Sequence, residues 1–273
     1  MKITILGSGA SIGAPLIFNH WKNPNIDKNE PKNYRTRSSF YLNDKYKKML
    51  VEMGPDCYQQ INKNNIPYTE SLFLSHNHQD HIGGVWEVEN IKRHLNKTMN
   101  IYCNMETLDG LMQRFPWLFD EDMQNYFNQH RTLKDLVGNK TIIEGKYNRF
   151  FKVYPYESYD NLLILPVIHG KLNGIGFKYK NFVFTPDLNI LPDISKGHIQ
   201  NADLWILQCN NLNISDYTNE SHTDLKLALK MIEELQPKRA ILTHLTDEID
   251  YAEVGKMLPK NVELAFDGME IEV

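Results

Sequence analysis

The run His76-Asn77-His78-Gln79-Asp80-His81 constrains this chain more than any other feature. It places four metal-ligand side chains within six residues. Imidazole and carboxylate together suit zinc, manganese or iron. Such a set does not share one face of a helix, because residues i and i+2 diverge there. On a loop the same residues converge on two adjacent ions, His76 and His78 on one, Asp80 and His81 on the other. The preceding Ser71-Leu72-Phe73-Leu74-Ser75 reads as a compact apolar strand that delivers them. Gly83-Gly84 then lets the backbone pass close beneath the ions and begin a helix. The alternative is a polar loop rich in histidine by chance. The chain has 10 histidines in 273 residues, so three in six positions argue against it.

Around this run the pattern is that of interleaved strands and helices. Lys2 to Leu6 alternates and reads as a first strand, ended by the turn Gly7-Ser8-Gly9. A nucleotide fingerprint needs a third glycine opening a helix, and none follows. Residues 19–37 are polar, rich in Asn, Lys and Pro, and read as a long surface loop near the entrance to a cleft. Ser38 to Leu42 and Lys48 to Met53 form a hairpin. Leu108, Leu111, Met112 and Phe115 recur at helical spacing within Glu106 to Phe119. Residues 120–160 are irregular and aromatic-rich, which suits a lid or a dimer surface. Leu162 to Ile168 and Ile175 to Thr185 read as strands that bring His169 and Asp187 to their ends. Asp203 to Gln208 is a further strand. Leu225, Ala228, Leu229, Ile232 and Leu235 mark a helix. Arg239 to Thr243 is a strand ending at His244, and Val262 to Phe266 and Met269 to Val273 close the chain. No linker divides these elements, so the expectation is one α/β domain over residues 1–273.

The net charge of −4 speaks against a broad nucleic-acid surface. Cys57, Cys103 and Cys209 lie far apart and form no Cys-x-x-Cys pair, which suits buried free thiols and a reducing cytoplasm. The N-terminal apolar stretch is too short for a secretory signal, and no run of about 18 apolar residues predicts a membrane span.

Ser75-His76-Asn77-His78-Gln79-Asp80-His81-Ile82-Gly83-Gly84 resembles the His-x-His-x-Asp-His motif of the metallo-β-lactamase superfamily. Pro166-Val167-Ile168-His169-Gly170 resembles its third histidine motif. Phe184-Thr185-Pro186-Asp187 resembles the motif of the bridging aspartate, and Leu242-Thr243-His244-Leu245 the final histidine motif. The likeness runs to Ala265-Phe266-Asp267-Gly268-Met269 and implies a four-layer αββα sandwich. It implies two divalent ions, zinc or manganese with iron as a further candidate. His76, His78 and His169 would hold the first, and Asp80, His81 and His244 the second. Asp187 would bridge them.

Within the superfamily the chain resembles the phosphodiesterase branch that includes phosphoribosyl 1,2-cyclic phosphodiesterase. Ser221-His222-Thr223-Asp224-Leu225 carries that likeness. It implies that His222 is a non-ligand histidine facing the substrate phosphate, against the plain reading of a capping or surface residue. The stretch Tyr34-Arg35-Thr36-Arg37-Ser38-Ser39 resembles the same branch, and Arg35 or Arg37 would bind phosphate or lie solvated on the surface. One departure stands out. The cysteines that form a structural zinc site in that branch are missing from residues 16–37.

The implied activity is hydrolysis of a cyclic or small nucleotide or ribose phosphodiester by a two-metal-activated hydroxide. Asp80 would orient the nucleophile, and His222 would stabilise the phosphate or protonate the leaving alkoxide. Expected partners are a small phosphodiester and a second copy of the chain as the default assembly, with no membrane and no extensive nucleic-acid surface. Three rivals stand beside it. They are an oxygenase resembling the pyrroloquinoline-quinone biosynthesis B protein, a tRNA 3′-end type nuclease, and a non-catalytic metal-binding protein.

Overall fold

A computed structural model describes residues 1–119, 161–212 and 221–273 of the chain. The segment 120–160, read above as a lid or dimer surface, lies outside the described residues. Two six-stranded sheets face each other. The first runs β12-β1-β2-β3-β4-β5, with β1 at Lys2–Gly7, β2 at Ser39–Asn43, β3 at Lys48–Val51, β4 at Ser71–Phe73, β5 at Asn100–Tyr102 and β12 at Glu270–Glu272. The second runs β11-β10-β9-β8-β7-β6, with β6 at Leu162–His169, β7 at Leu172–Tyr179, β8 at Phe182–Thr185, β9 at Leu204–Gln208, β10 at Ala240–Thr243 and β11 at Val262–Leu264. Each sheet has an antiparallel half and a parallel half. The parallel halves are β3-β4-β5 and β8-β9-β10-β11.

The four layers follow from strands that are apolar on both faces, as parallel strands between covering layers must be. Met49, Val51, Phe73, Ile206 and Ile241 enter the core between the sheets. Their neighbours Leu50, Leu72 and Leu74 point outward into a second cluster with Val88, Leu108 and Leu111. Trp205, Leu207 and Leu242 point the opposite way, into a third with Ala228, Met231 and Ile232. Edge-to-face aromatic pairs link the sheets, with Phe73 and Phe177 centroids 4.9 Å apart.

The helices are α1 at Cys57–Lys63, α2 at Gln79–Ile82, α3 at Glu87–Leu95, α4 at Met105–Arg114, α5 at Asp193–Ile199, α6 at Leu225–Leu235 and α7 at Tyr251–Gly255. The strands expected from alternation are present, with two corrections. The expected strand Ile175 to Thr185 is the end of β7 plus β8, divided at Lys180-Asn181, where Lys180 takes φ 55°. The helix expected to reach Phe119 stops at Arg114, and a 3-10 turn covers Pro116–Leu118. Pro116 has no N–H to donate and pushes Phe115 out of helical geometry. The start of α4 is set by Asn104, whose side chain accepts from Thr107 N at 2.8 Å.

The 19–37 segment is irregular but not merely a surface loop. Trp21, Ile26, Asn33 and Arg35 are buried within it. It is clasped to the chain following His244: Asp247 accepts from Lys22 N at 2.6 Å, and Asp250 accepts from Asp27 N at 2.9 Å. The sheets are stitched together at the same rim. Ile175 N donates to Ser75 O at 3.0 Å, Leu245 N to Ser8 O at 2.9 Å and Ala10 N to Leu245 O at 3.1 Å.

Candidate metal centre

The C-terminal ends of β4, β6, β8 and β10 gather the site. Beyond β4 the chain bends at His76 and reaches His78, which is extended and sits at the cap of α2. Asp80 and His81 therefore lie on a short helical turn, whereas the sequence reading put all four ligands on a loop. Convergence comes from joining an extended stretch to one turn of helix. A close backbone crossing holds that turn. Met53 N donates to His81 O at 2.8 Å, and Gly84 N to Met53 O at 2.8 Å. A Cβ on Gly54 would meet the Asp80 carbonyl oxygen at 2.1 Å, so only glycine admits the crossing. His169 ends β6, and Asp187 stands two residues beyond β8. His244 follows β10 in a left-handed conformation with φ 60°. Glu52, the residue after β3, has φ 63°. Such outliers cluster where a fold presents functional groups.

The expected ligands come together in two sets that share Asp187. His76, His78, His169 and Asp187 form one, and Asp80, His81, Asp187 and His244 the other. Within each set the ligand atoms lie within 4.8 Å of one another. His169 Nε2 is 3.2 Å from His78 Nδ1. Asp187 Oδ2 lies 3.1 Å from His244 Nε2, 3.4 Å from His81 Nε2 and 3.9 Å from His76 Nε2. Asp80 Oδ2 is 3.2 Å from His244 Nε2 and 3.1 Å from His81 Nε2.

These residues fit divalent ions by a test independent of the motif. His76 Nε2, His81 Nε2 and Asp187 Oδ1 are buried and lack a hydrogen-bond partner. Buried polar atoms are seldom left so unless something else binds them. On His76 and His169 the opposite ring nitrogen is engaged, which leaves the inward one free to ligate. His76 Nδ1 is 2.9 Å from Ser75 Oγ, and His169 Nδ1 donates to the Ser221 carbonyl.

The two sets differ in charge. Burial lowers the pKa of His76 well below the ordinary imidazole value and that of His78 below it. It lowers that of His169 to about 4. The first set is thus held as neutral imidazoles, the form that binds metal. Burial also opposes charge on His81, but Asp80, Glu52 and Asp187 outweigh it and raise its pKa well above the ordinary value. Burial would raise Asp80 and Asp187, yet the surrounding imidazoles hold both well below the usual carboxylate range.

His222 lies in the site but in neither ligand set. Its Nε2 is 3.4 Å from Asp187 Oδ2, its Nδ1 is 3.0 Å from Ser221 Oγ, and its side chain is 19 % exposed. Arg35 and Arg37, weighed above as phosphate ligands, are committed elsewhere. Arg35 is buried and donates to the carbonyls of Thr246 at 3.0 Å and Ile249 at 2.7 Å. Arg37 pairs with Asp56 at 2.9 Å.

Two residues escaped the sequence reading. Glu52 Oε1 stands 3.4 Å behind His81 Nδ1. Its signal was a carboxylate at the end of an apolar strand, two residues before Gly54. Gln208, at the end of β9, accepts from Leu188 N at 2.9 Å and donates to Thr223 O at 3.0 Å. Thr223 Oγ1 donates to Leu188 O at 2.7 Å. Together they fix the residue after Asp187 to the residue after His222, and nothing in the local sequence announces that role.

A family model described as the beta-lactamase superfamily domain matches residues 47–245. A curated protein of Porphyromonas gingivalis (strain ATCC BAA-308 / W83) named octanoyltransferase is 26% identical over 277 residues, covering 99% of this chain and 51% of that protein. The chain therefore spans about half the length of that relative. Among solved structures, a diphosphatase from the PhnP family superposes with TM-score 0.80 at 21% identity, covering 100% of this chain and 97% of that one. Zinc-bound PqqB from Methylobacterium extorquens superposes with TM-score 0.68 at 14% identity, covering 100% of both chains. At these identities both likenesses speak to the fold.

Proposed function

We propose that the chain, which belongs to the beta-lactamase superfamily domain family, is a metal-dependent hydrolase and that the bond it cleaves is that of a small phosphodiester. His76, His78, His169 and Asp187 would hold one divalent ion, and Asp80, His81, His244 and Asp187 the other. Bound there, the ions supply positive charge to phosphoryl oxygens and make a water molecule more acidic. The protein's own groups do the rest. Asp80 accepts a hydrogen bond from the attacking water and orients it. That water gives up one proton to bulk solvent, its oxygen forms the new bond to phosphorus, and the bond from phosphorus to the leaving oxygen breaks. His222 Nε2 delivers a proton to that oxygen.

The single observation that carries this reading is the position of His222. It is a partly exposed imidazole 3.4 Å from the shared carboxylate of both ligand sets, yet a member of neither. His222→Ala should retain the metal content of the parent and slow bis-p-nitrophenyl phosphate turnover by about 10²- to 10⁴-fold. His76→Ala should lose both metal and turnover. Loss of metal from His222→Ala, measured by mass spectrometry, would remove its assigned role. Two equivalents of metal in the parent with no phosphodiester turnover would remove the reading.

A second reading rests on the relative named octanoyltransferase together with the apolar rim of this site. Ile190, three residues beyond Asp187, is half exposed and its carbonyl accepts from Ile168 N at 3.1 Å, beside His169. Ile194 on α5 is also exposed. Such a rim suits an octanoyl ester or thioester. Turnover of p-nitrophenyl octanoate above that of the phosphodiester would favour it.

A further inference from the structure

We propose that Asn210 binds the substrate beside His222, its side-chain oxygen accepting a hydrogen bond from a hydroxyl of the alcohol that leaves. That role rests on the phosphodiester reading above. Asn210 follows β9, and its backbone is held on both sides. Its N donates to Thr223 O at 2.8 Å, and its O accepts from Thr246 N at 3.0 Å. Thr223 is the residue after His222, and Thr246 lies just beyond His244. The rings of those two histidines stack with centroids 5.6 Å apart and planes at 20°. Asn210 therefore bridges the two segments that carry them. Alternation sets the direction of its side chain. Gln208 lines a cavity with Asp187 and His244, whereas Cys209 turns outward into the cluster of Trp205 and Leu207. Backbone pairing continues through Asn210, so its side chain returns to the Gln208 side, which is that of the metal centre.

The side chain is left with an unmet acceptor. Asn210 Oδ1 is buried without a hydrogen-bond partner, although the residue as a whole is only half-buried. The polar groups around it are engaged with one another. Gln208 accepts from Leu188 N and donates to Thr223 O, Thr223 Oγ1 donates to Leu188 O, and Thr246 Oγ1 donates to Asn211 Oδ1 at 3.1 Å. Buried acceptors are seldom left unpaired. An amide oxygen only accepts, so its partner must bring a hydrogen. A phosphodiester group is an anion with none to give at neutral pH. The partner is therefore a hydroxyl of the alcohol and not a phosphoryl oxygen. His222 delivers its proton to the leaving oxygen, and Asn210 is bonded to the residue after His222, which puts that hydroxyl on the leaving side. A diol presents both groups on one edge when its second hydroxyl is on the carbon next to the ester oxygen.

The test titrates the zinc-loaded full chain with adenosine 3′,5′-cyclic phosphate and with its 2′-deoxy analogue by calorimetry, with metal content and thermal midpoint measured alongside. The two ligands differ by one hydroxyl beside an ester oxygen. The parent should bind the hydroxyl-bearing one about tenfold more tightly, the scale of one hydrogen bond to a buried group that otherwise goes unpaired. Asn210→Ala should lose that preference while keeping its metal, its midpoint and the parent's affinity for the deoxy analogue. Asn210→Asp keeps the acceptor oxygen and should keep the preference. Binding of neither ligand, equal affinities in the parent, or a preference that survives Asn210→Ala would overturn the proposal. So would loss of metal, or an equal fall in affinity for both ligands, in Asn210→Ala, because Asn210 would then only brace the histidine segments. Bis-p-nitrophenyl phosphate turnover by the same parent sample judges the phosphodiester reading separately. A hydroxyl preference without turnover keeps the Asn210 contact and removes that reading.

Discussion

His81 carries the sharpest difference between the two ligand sets. In metal-free protein its pKa is raised well above 6.5 by Asp80, Glu52 and Asp187, against the effect of burial. Its contribution to stability is then fully present below the unfolded value and is lost as pH rises through the folded one. A metal ion must displace that proton. His76, His78 and His169 are lowered below 6.5 and carry no proton to displace near neutrality. One ion should therefore bind without proton release, and the other should release about one proton and lose about tenfold in affinity for each unit that pH falls. Titration in buffers of different ionisation enthalpy counts the protons. Two sites with equal linkage would contradict the assignment. The ligand types were legible in the sequence. Their protonation was not, because it depends on burial and, for His81, on Asp80 together with Glu52 and Asp187, which the fold brings up from elsewhere in the chain.

At the scale of elements, the crossing of β3's exit over α2 decides whether the motif is presented at all. Gly54→Ala would drive a Cβ to 2.1 Å from the Asp80 carbonyl, and both partners are backbone. The α2 turn must then shift. The expected cost is about 1–3 kcal/mol of stability, with reduced occupancy at the Asp80–His81–His244 set. Normal metal content and an unchanged thermal midpoint would show that the crossing has slack. Strands and the two long amphipathic helices were legible because their burial has a clean period, as in Leu225–Leu235. The helix Glu87–Leu95 was legible only as a start after Gly83-Gly84, because its stripe of Val88, Ile91 and Leu95 is short and buries Val88 alone completely. Pro116 was visible as a helix stop, yet the apolar spacing through Phe115 outweighed it in the reading.

At the scale of the molecule, the ligands come from the rims of both sheets, so bound ions tie the sandwich together where only a few backbone hydrogen bonds otherwise cross. Chelation should lower the thermal midpoint by about 5–10 °C, from about 2–3 kcal/mol of linked binding energy. Cys57, Cys103 and Cys209 report when the layers part. All are buried, and desolvation pushes the Cys57 and Cys103 thiols up to about 12 and raises Cys209 as well. They should resist Ellman's reagent at pH 8 until the unfolding transition, with or without chelator. Reaction before that transition would show the layers opening locally. No helix among the described residues is long and apolar enough to cross a membrane. The sequence by itself determined the alternating strands and the residue types that gather at the site, with His76 beside His78 and Asp80 beside His81. Those depend on residue type and on spacings of a few positions. Only the tertiary structure decided that Arg35 and Arg37 serve the framework, that Glu52 and Gln208 set the site, and that Asn210 is tied to Thr246. Each of those rests on a contact between residues far apart in the chain, and local pattern carries no record of such distances.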